Sequence, residues 1–343
     1  MSRWIRLAYF AVWFVFALVL HFALGVLPAF GVVVASAIVY LLITLPARTI
    51  PLLSLFILFF AGLLIVSHVT LVIQFVIQKL FLPPLWSNDG LFWASVILAP
   101  ISEELLKLAP LVLLVLIWNG TRARATFSAT DVMLCGLAIG AGFELFEDML
   151  GGPARTYAWS LVYGSPVVPS VEVATTRGRP DVVFIGHAAS TAFMGLALGW
   201  ARYFKTPLRY APVLIALTWM TWTHLLYNGQ EDFARGHFFF LTAPLTWMTP
   251  WFFFLAALGT ALFEWFLRHY RATPVERAYA QRARLSLNLG SFFTWLETRR
   301  LLRQLAYARI WVRANRGDRE KLEPRVRDIV TQLENNVAQL TRA

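Results

Sequence analysis

The sequence predicts an all-α fold: a polytopic membrane helical bundle of about eight transmembrane helices, followed by a C-terminal amphipathic helical tail. Three observations predict it. Of 343 residues, 58% are hydrophobic and 14% charged, with a mean hydropathy of +0.62, whereas soluble domains carry about 25% charged residues. Apolar runs near the length that crosses a bilayer, about 20 residues, recur along most of the chain. The charge gathers at one end: from Arg268 onward there are 16 Lys+Arg and 7 Asp+Glu, so this region holds +9 of the net +11.

The spans read as 6–25, 28–46, 51–78, 91–118, 130–150, 182–204, 209–229 and 238–267. The first is too long for a secretory leader and lacks a small-residue cleavage site, so it reads as a retained span. Cys135 is the single cysteine and is flanked by apolar residues. No internal disulfide framework can form, and Cys135 reads as a small buried hydrophobe. There is no internal repeat and no low-complexity tract. The chain divides into 1–89 (three N-terminal spans), 90–230 (a core of four spans), 231–270 (the last span) and 271–343 (the tail).

Lysine and arginine placement sets the orientation. Arg3 and Arg6, Arg48, Arg122 and Arg124, then Arg202, Lys205 and Arg209, all fall on one side, together with everything after Arg268. The other side has the uncharged link near Pro28, the 79–89 segment, the acidic turn Glu231-Asp232, and one long loop with Arg155, Arg177 and Arg179. Eight spans with both termini cytoplasmic satisfy every short loop. The expected location is a plasma membrane, crossed several times.

The tail mixes Leu285, Leu287, Phe292, Phe293, Trp295 and Leu296 with Arg299, Arg300, Arg303, Arg309 and Arg313, and breaks at Asn315-Arg316-Gly317-Asp318 before a second helix over 319–339. Nucleic-acid binding is one reading of so basic a segment. Docking on an anionic inner leaflet is the more economical one, because Phe292, Trp295 and Trp311 supply an apolar face. No nucleic-acid partner is expected.

Four clusters of ionisable residues interrupt the apolar spans. They are Glu103-Glu104-Leu105-Leu106-Lys107, Phe143-Glu144-Leu145-Phe146-Glu147-Asp148, His187, and His224-Leu225-Leu226-Tyr227-Asn228. A charge at mid-bilayer costs at least about 2.5–3.5 kcal/mol, so such residues face one another or a water-filled cavity. Lys107 lies one helical turn from Glu103 and can neutralise one glutamate, leaving the other as a candidate general base. Glu144, Glu147 and Asp148 share one face of a helix containing Gly136, Gly140 and Gly142. Three carboxylates at one depth repel unless protons or a cation neutralise them. Asn228 lies four residues after His224 on the same face, which suits a ligand plus an amide that orients substrate or stabilises an oxyanion. His21 and His68 have no such company and read as structural.

Depth is consistent with convergence. At about 1.5 Å per residue, Glu147 lies roughly 25 Å and His224 roughly 22 Å from the cytoplasmic ends of their spans, and His187 roughly 8 Å from the opposite end. All three fall in the extracytoplasmic half.

In order, these residues resemble the PrsW family of intramembrane proteases, within the group that includes the CAAX prenyl endopeptidases. The resemblance rests on Glu103-Glu104-x-x-Lys107, Phe143-x-x-x-Glu147, His187 with Gly195 and Gly199, and His224-x-x-x-Asn228, with Asp131 and the glycines before Phe143. It covers about residues 90–230. Asp148, Glu144 and Asn228 depart from the usual PrsW pattern. The resemblance implies peptide hydrolysis. Glu147, His187 and His224 would hold a divalent metal, zinc by its donor set; Glu103, supported by Glu104, would activate water; Asn228 would stabilise the oxyanion. A metal-free form, with glutamates and histidines acting directly on water, is also chemically sound. The implied substrate is a membrane protein, such as a single-span anti-sigma-factor-like chain, or a prenylated tail in the CAAX branch. The competing class is a proton- or cation-coupled transporter or channel, with a non-catalytic scaffold third.

Overall fold

A computed structural model describes residue 44 and residues 47–120, 126–151, 172–174, 181–201, 203, 207–229, 237–270, 274–282, 289–314 and 319–342. The span expected over 6–25, most of that over 28–46, and the loops bearing Arg122, Arg124, Arg155, Arg177 and Arg179 lie outside these residues. Within them the protein is a helical bundle carrying one small sheet. Among the described residues, three helices are long and apolar enough to cross a membrane: Leu52–Phe81, Ala129–Glu147 and Leu241–His269. This is a polytopic helical membrane protein.

Helix α1 is Leu52–Phe81, starting after Pro51 and loosened to a π-helical turn at Gly62–Val66. Ser67 Oγ donates to the Gly62 carbonyl across that turn, 2.8 Å. Helix α2 runs over 88–120, with a π-helical stretch Phe92–Leu98 before Ala99–Gly120. Pro100 has no N–H to continue the ladder, which accounts for the widened turns just before it. Ser102 Oγ adds bonds just beyond it by donating to the Leu98 and Ala99 carbonyls.

Helix α3, Ala129–Gly151, is the centre of the bundle: its span is almost wholly buried, while α1 turns Ile65, Val72 and Phe75 outward. A helix apolar all round belongs in a core, whereas outward apolar faces suit lipid. A capping box opens α3: Ser128 Oγ accepts the Asp131 N–H at 3.0 Å, and Asp131 accepts the Ser128 N–H at 2.9 Å. Asp131 also takes the N–H groups of Thr49 (2.7 Å) and Ile50 (3.1 Å), fixing the segment that leads into α1.

The sixth expected span, 182–204, needs correction. Val182–Phe184 is a strand, β2, paired antiparallel with β1, Glu172–Ala174, in the register Glu172 to Phe184. The β-branched pair Val182-Val183 suits a strand. The chain then turns at Gly186, whose φ of 70° is open to glycine at no steric cost, and α4 covers only Gly186–Ala201. Helix α4 lies against α3 at glycine contacts on both sides. A Cβ on Gly136 would sit 2.4 Å from the Thr191 carbonyl oxygen, and one on Gly195 would sit 2.6 Å from that of Val132. Such close backbone approach is what small residues permit.

A 3-10 turn, Pro207–Tyr210, leads into α5, Ala211–Asn228. The last span is α6, His237–Thr246, and α7, Thr249–Tyr270, separated by a turn where Pro250 cannot donate. The tail contains α8, Pro274–Arg282, α9, Leu289–Ala314, and α10, Arg319–Arg342. The second tail helix thus starts where the sequence places it. Between the tail helices, Leu301, Leu302 and Leu305 of α9 pack on Ile329 and Leu333 of α10. Phe292 and Phe293 remain exposed. Helix α9 also docks onto the bundle, with Arg300 and Gln304 each donating to the Thr49 carbonyl at 3.0 Å and Arg303 donating to that of Arg48.

Candidate active site

Four helices bring ionisable groups to one buried point. Helix α2 supplies Glu103, Glu104 and Lys107, α3 supplies Glu147, α4 supplies His187, and α5 supplies His224. Lys107 and Glu104 are fully buried and paired, Nζ to Oε1 at 2.7 Å. The pairing therefore uses Glu104, three residues away, and leaves Glu103 without the lysine. Glu103 is held instead from α1, where Gln74 Nε2 donates to Glu103 Oε1 at 3.1 Å and to Ser102 Oγ at 3.0 Å. Glu103 Oε2 is buried with no hydrogen-bond partner.

Glu104 stands behind both imidazoles. Its Oε1 is 3.2 Å from His224 Nδ1 and 3.8 Å from His187 Nδ1, and Oε2 accepts from Ser190 Oγ at 3.3 Å. Lys107 Nζ is 2.5 Å from His187 Nδ1. The Nε2 atoms meet the other two carboxylates: His187 Nε2 is 2.5 Å from Glu147 Oε2, and His224 Nε2 is 3.9 Å from Glu103 Oε2. The two imidazole centroids are 5.0 Å apart. Aromatic rings wall the cluster. Phe184 of β2 stacks on His224 at 4.5 Å and meets His187 edge-on, while Phe143 packs on His187 and lies under the Lys107 ammonium.

The residues fit a divalent cation. Glu103, His187 and His224 each present a donor atom, all within 4.8 Å of one another; Glu147, the carboxylate that the resemblance makes the ligand, joins this group through His187 Nε2. Imidazole nitrogens with a carboxylate are a catalytic zinc donor set. Three carboxylates, Glu103, Glu104 and Glu147, face the single ammonium of Lys107, so a doubly charged cation balances the cluster. The unpartnered Glu103 Oε2 is a buried acceptor in want of a proton or a cation.

The other residues singled out in the sequence are placed as follows. Asn228 is exposed, and its Nδ2 donates to the Ser95 carbonyl at 3.0 Å. The Glu147 side chain is 45% exposed, so the cluster opens at that edge. Glu144 turns from the metal-type donors and accepts the Ala188 N–H at 2.8 Å, in the first turn of α4. A carboxylate there satisfies an orphan helix donor and favours the helix dipole. The Asp148 side chain lies outside the described residues.

Sequence reasoning passed over Gln74 and Phe184. Gln74 carried a usable signal, an amide inside an apolar span. Phe184 did not, because its run was read as helix. The two ends of α3 have separate tasks. Its C-terminal end carries Glu147, and its N-terminal end takes Glu264 of α7, which accepts the Ala129 N–H at 2.7 Å. At about 1.5 Å per residue these ends are roughly 27 Å apart.

Comparison with known proteins agrees in one respect and is silent in two. The family model described as PrsW family intramembrane metalloprotease matches residues 50–258. No curated protein matches the chain, and no solved structure does.

Proposed function

The chain belongs to the PrsW family of intramembrane metalloproteases, and from that premise we propose that it hydrolyses a peptide bond in a membrane-embedded protein, with Glu103 as general base and His187, His224 and Glu147 as metal ligands. The observation that carries this reading is the meeting of both imidazole Nε2 atoms with the carboxylates of Glu147 and Glu103 while Glu104 backs both Nδ1 atoms. When bound, a zinc-class ion polarises the scissile carbonyl and makes water acidic near neutral pH.

The chain's own groups do the rest. Gln74 holds Glu103 Oε1 and leaves Oε2 to take the proton of water as its oxygen attacks the carbonyl carbon. That proton then passes to the leaving nitrogen as the C–N bond breaks. Glu104, held by Lys107 and Ser190, orients His224 and is a positioning residue. Asn228, at the exposed edge, exchanges its Ser95 carbonyl for the developing oxyanion. The walls of Phe143 and Phe184 keep bulk water from the histidines.

The substrate class is a single-span membrane protein that enters at the Glu147 and Asn228 edge. The site lies in the extracytoplasmic half, with both termini cytoplasmic, as the loop charges suggest. The test is reconstitution with a transmembrane reporter substrate and elemental analysis of the same sample. Cleavage that requires about one zinc-class ion per chain is expected. Full turnover after rigorous chelation would leave only the metal-free glutamate form of the mechanism.

A further inference from the structure

A second polar site lies at the basic end of α7, distant from the histidines. A cavity of about 420 Å³ opens between α7, α8 and α9, and the ionisable residues lining it are Arg268, His269, Glu276, Arg277, Arg299 and Arg303. Four guanidinium groups thus face one carboxylate. Glu276 Oε1 lies 3.3 Å from Arg309 Nη1, an ion pair rather than a hydrogen bond.

The arginines are held in place, and two of them, Arg299 and Arg303, keep an unused donor. Arg268 Nε donates to the Glu264 carbonyl at 2.9 Å, and its guanidinium lies over the Tyr307 ring. Arg303 donates through Nε to the Arg48 carbonyl, and Arg299 lies over the Trp295 ring. Yet Arg303 Nη2 and Arg299 Nε are buried with no hydrogen-bond partner. Burial first, then the like charges of Arg268 and Arg48, pushes the Arg303 guanidinium down to about 9. Buried donors without acceptors, among mutually repelling cations, are what an anion with several oxygens relieves.

We propose that this cavity binds a phosphate group. The forks of Arg299 and Arg303 match its oxygens, and the exposed Arg277 closes over it. Two sources carry that chemistry, an anionic phospholipid headgroup and free phosphate. The setting suits the lipid: Trp265 lines the cavity and is also exposed, and Leu262 and Phe266 beside it on α7 face outward, giving acyl chains an apolar flank to follow. The site is independent of the proteolytic reading.

The test uses the full chain purified in a neutral detergent. Phosphatidylglycerol, phosphatidylcholine and inorganic phosphate are titrated separately, with bound lipid counted by native mass spectrometry and phosphate binding read by calorimetry. Wild type is expected to retain phosphatidylglycerol in preference to phosphatidylcholine. The Arg299→Gln/Arg303→Gln double variant should bind it at least about tenfold more weakly, the loss of charged hydrogen bonds. Since that variant removes a tail contact, Arg277→Glu, at an exposed position, provides the same reading without a folding risk. Saturable binding of inorganic phosphate by wild type, lost in Arg277→Glu, assigns the site to the soluble anion. Equal retention of the two lipids with no phosphate binding, or binding that neither variant weakens, overturns the proposal.

Discussion

Gly140 and His187 meet backbone to backbone: a Cβ on Gly140 would lie 2.3 Å from the His187 carbonyl oxygen. The position of a site histidine is therefore set by the absence of a side chain on the neighbouring helix. Gly140→Ala should push α4 away and carry His187 off Glu147. We expect a loss of about 1–3 kcal/mol of stability from overpacking and at least about a tenfold fall in turnover, since small misplacements of reacting groups are costly. Thermal unfolding and reporter cleavage on one preparation check both; wild-type turnover in Gly140→Ala would mean that α4 adjusts freely.

Glu103 and Glu147 are predicted to separate by phenotype. Glu103→Gln should keep bound metal and lower turnover about 10²–10⁴-fold, the range for removing a general base. Glu147→Gln should lose metal first and activity with it. The decisive comparison is metal content per chain across the two variants. The reverse pattern would make Glu103 the ligand and Glu147 the base.

Glu104→Gln leaves Lys107 buried and unpaired, with the Nδ1 atoms of His187 and His224 facing a neutral amide. Breaking a buried pair on one side costs about 3–5 kcal/mol. The double variant Glu104→Gln/Lys107→Met should recover much of the stability and little of the activity. Recovery of both would show that Glu104 serves packing alone.

At the other end of α3, Asp131→Asn removes a carboxylate that accepts from Thr49, Ile50 and Ser128. A loss of about 3–5 kcal/mol is expected for so many charged hydrogen bonds, with turnover per folded molecule unchanged. Truncation after Tyr270 should behave likewise: the Thr49 carbonyl loses Arg300 and Gln304, and intrinsic cleavage of a short substrate in detergent survives. Abolished cleavage by folded, metal-loaded truncated protein would place tail residues in the catalytic apparatus.

The sequence made the ionisable clusters visible because lipid makes such residues expensive. Glu103, Glu147, His187 and His224 stand out against leucine and phenylalanine for that reason alone. The partner of Lys107 was not legible, since Glu103 and Glu104 are both within one turn of it, and the choice depends on Gln74 approaching from α1. Val182-Val183-Phe184 has the composition of a span and the conformation of a strand, because its partner Glu172–Ala174 offers ladder bonds that no local pattern announces. Glu147 was singled out as a ligand, whereas the role of Glu144 on the same helix face was not legible. One turn of helix separates a cap for α4 from a partner of His187.

The bond from Arg300 to the Thr49 carbonyl joins residues 251 positions apart. During synthesis at about 5–20 residues per second, roughly 13–50 s separate the two leaving the ribosome. Over that interval α1 to α5, and with them every histidine and glutamate of the proposed site, have already been made. A chain stalled or clipped before α9 therefore already carries every side chain of the proposed site, and the finished tail arrives as the last fastening.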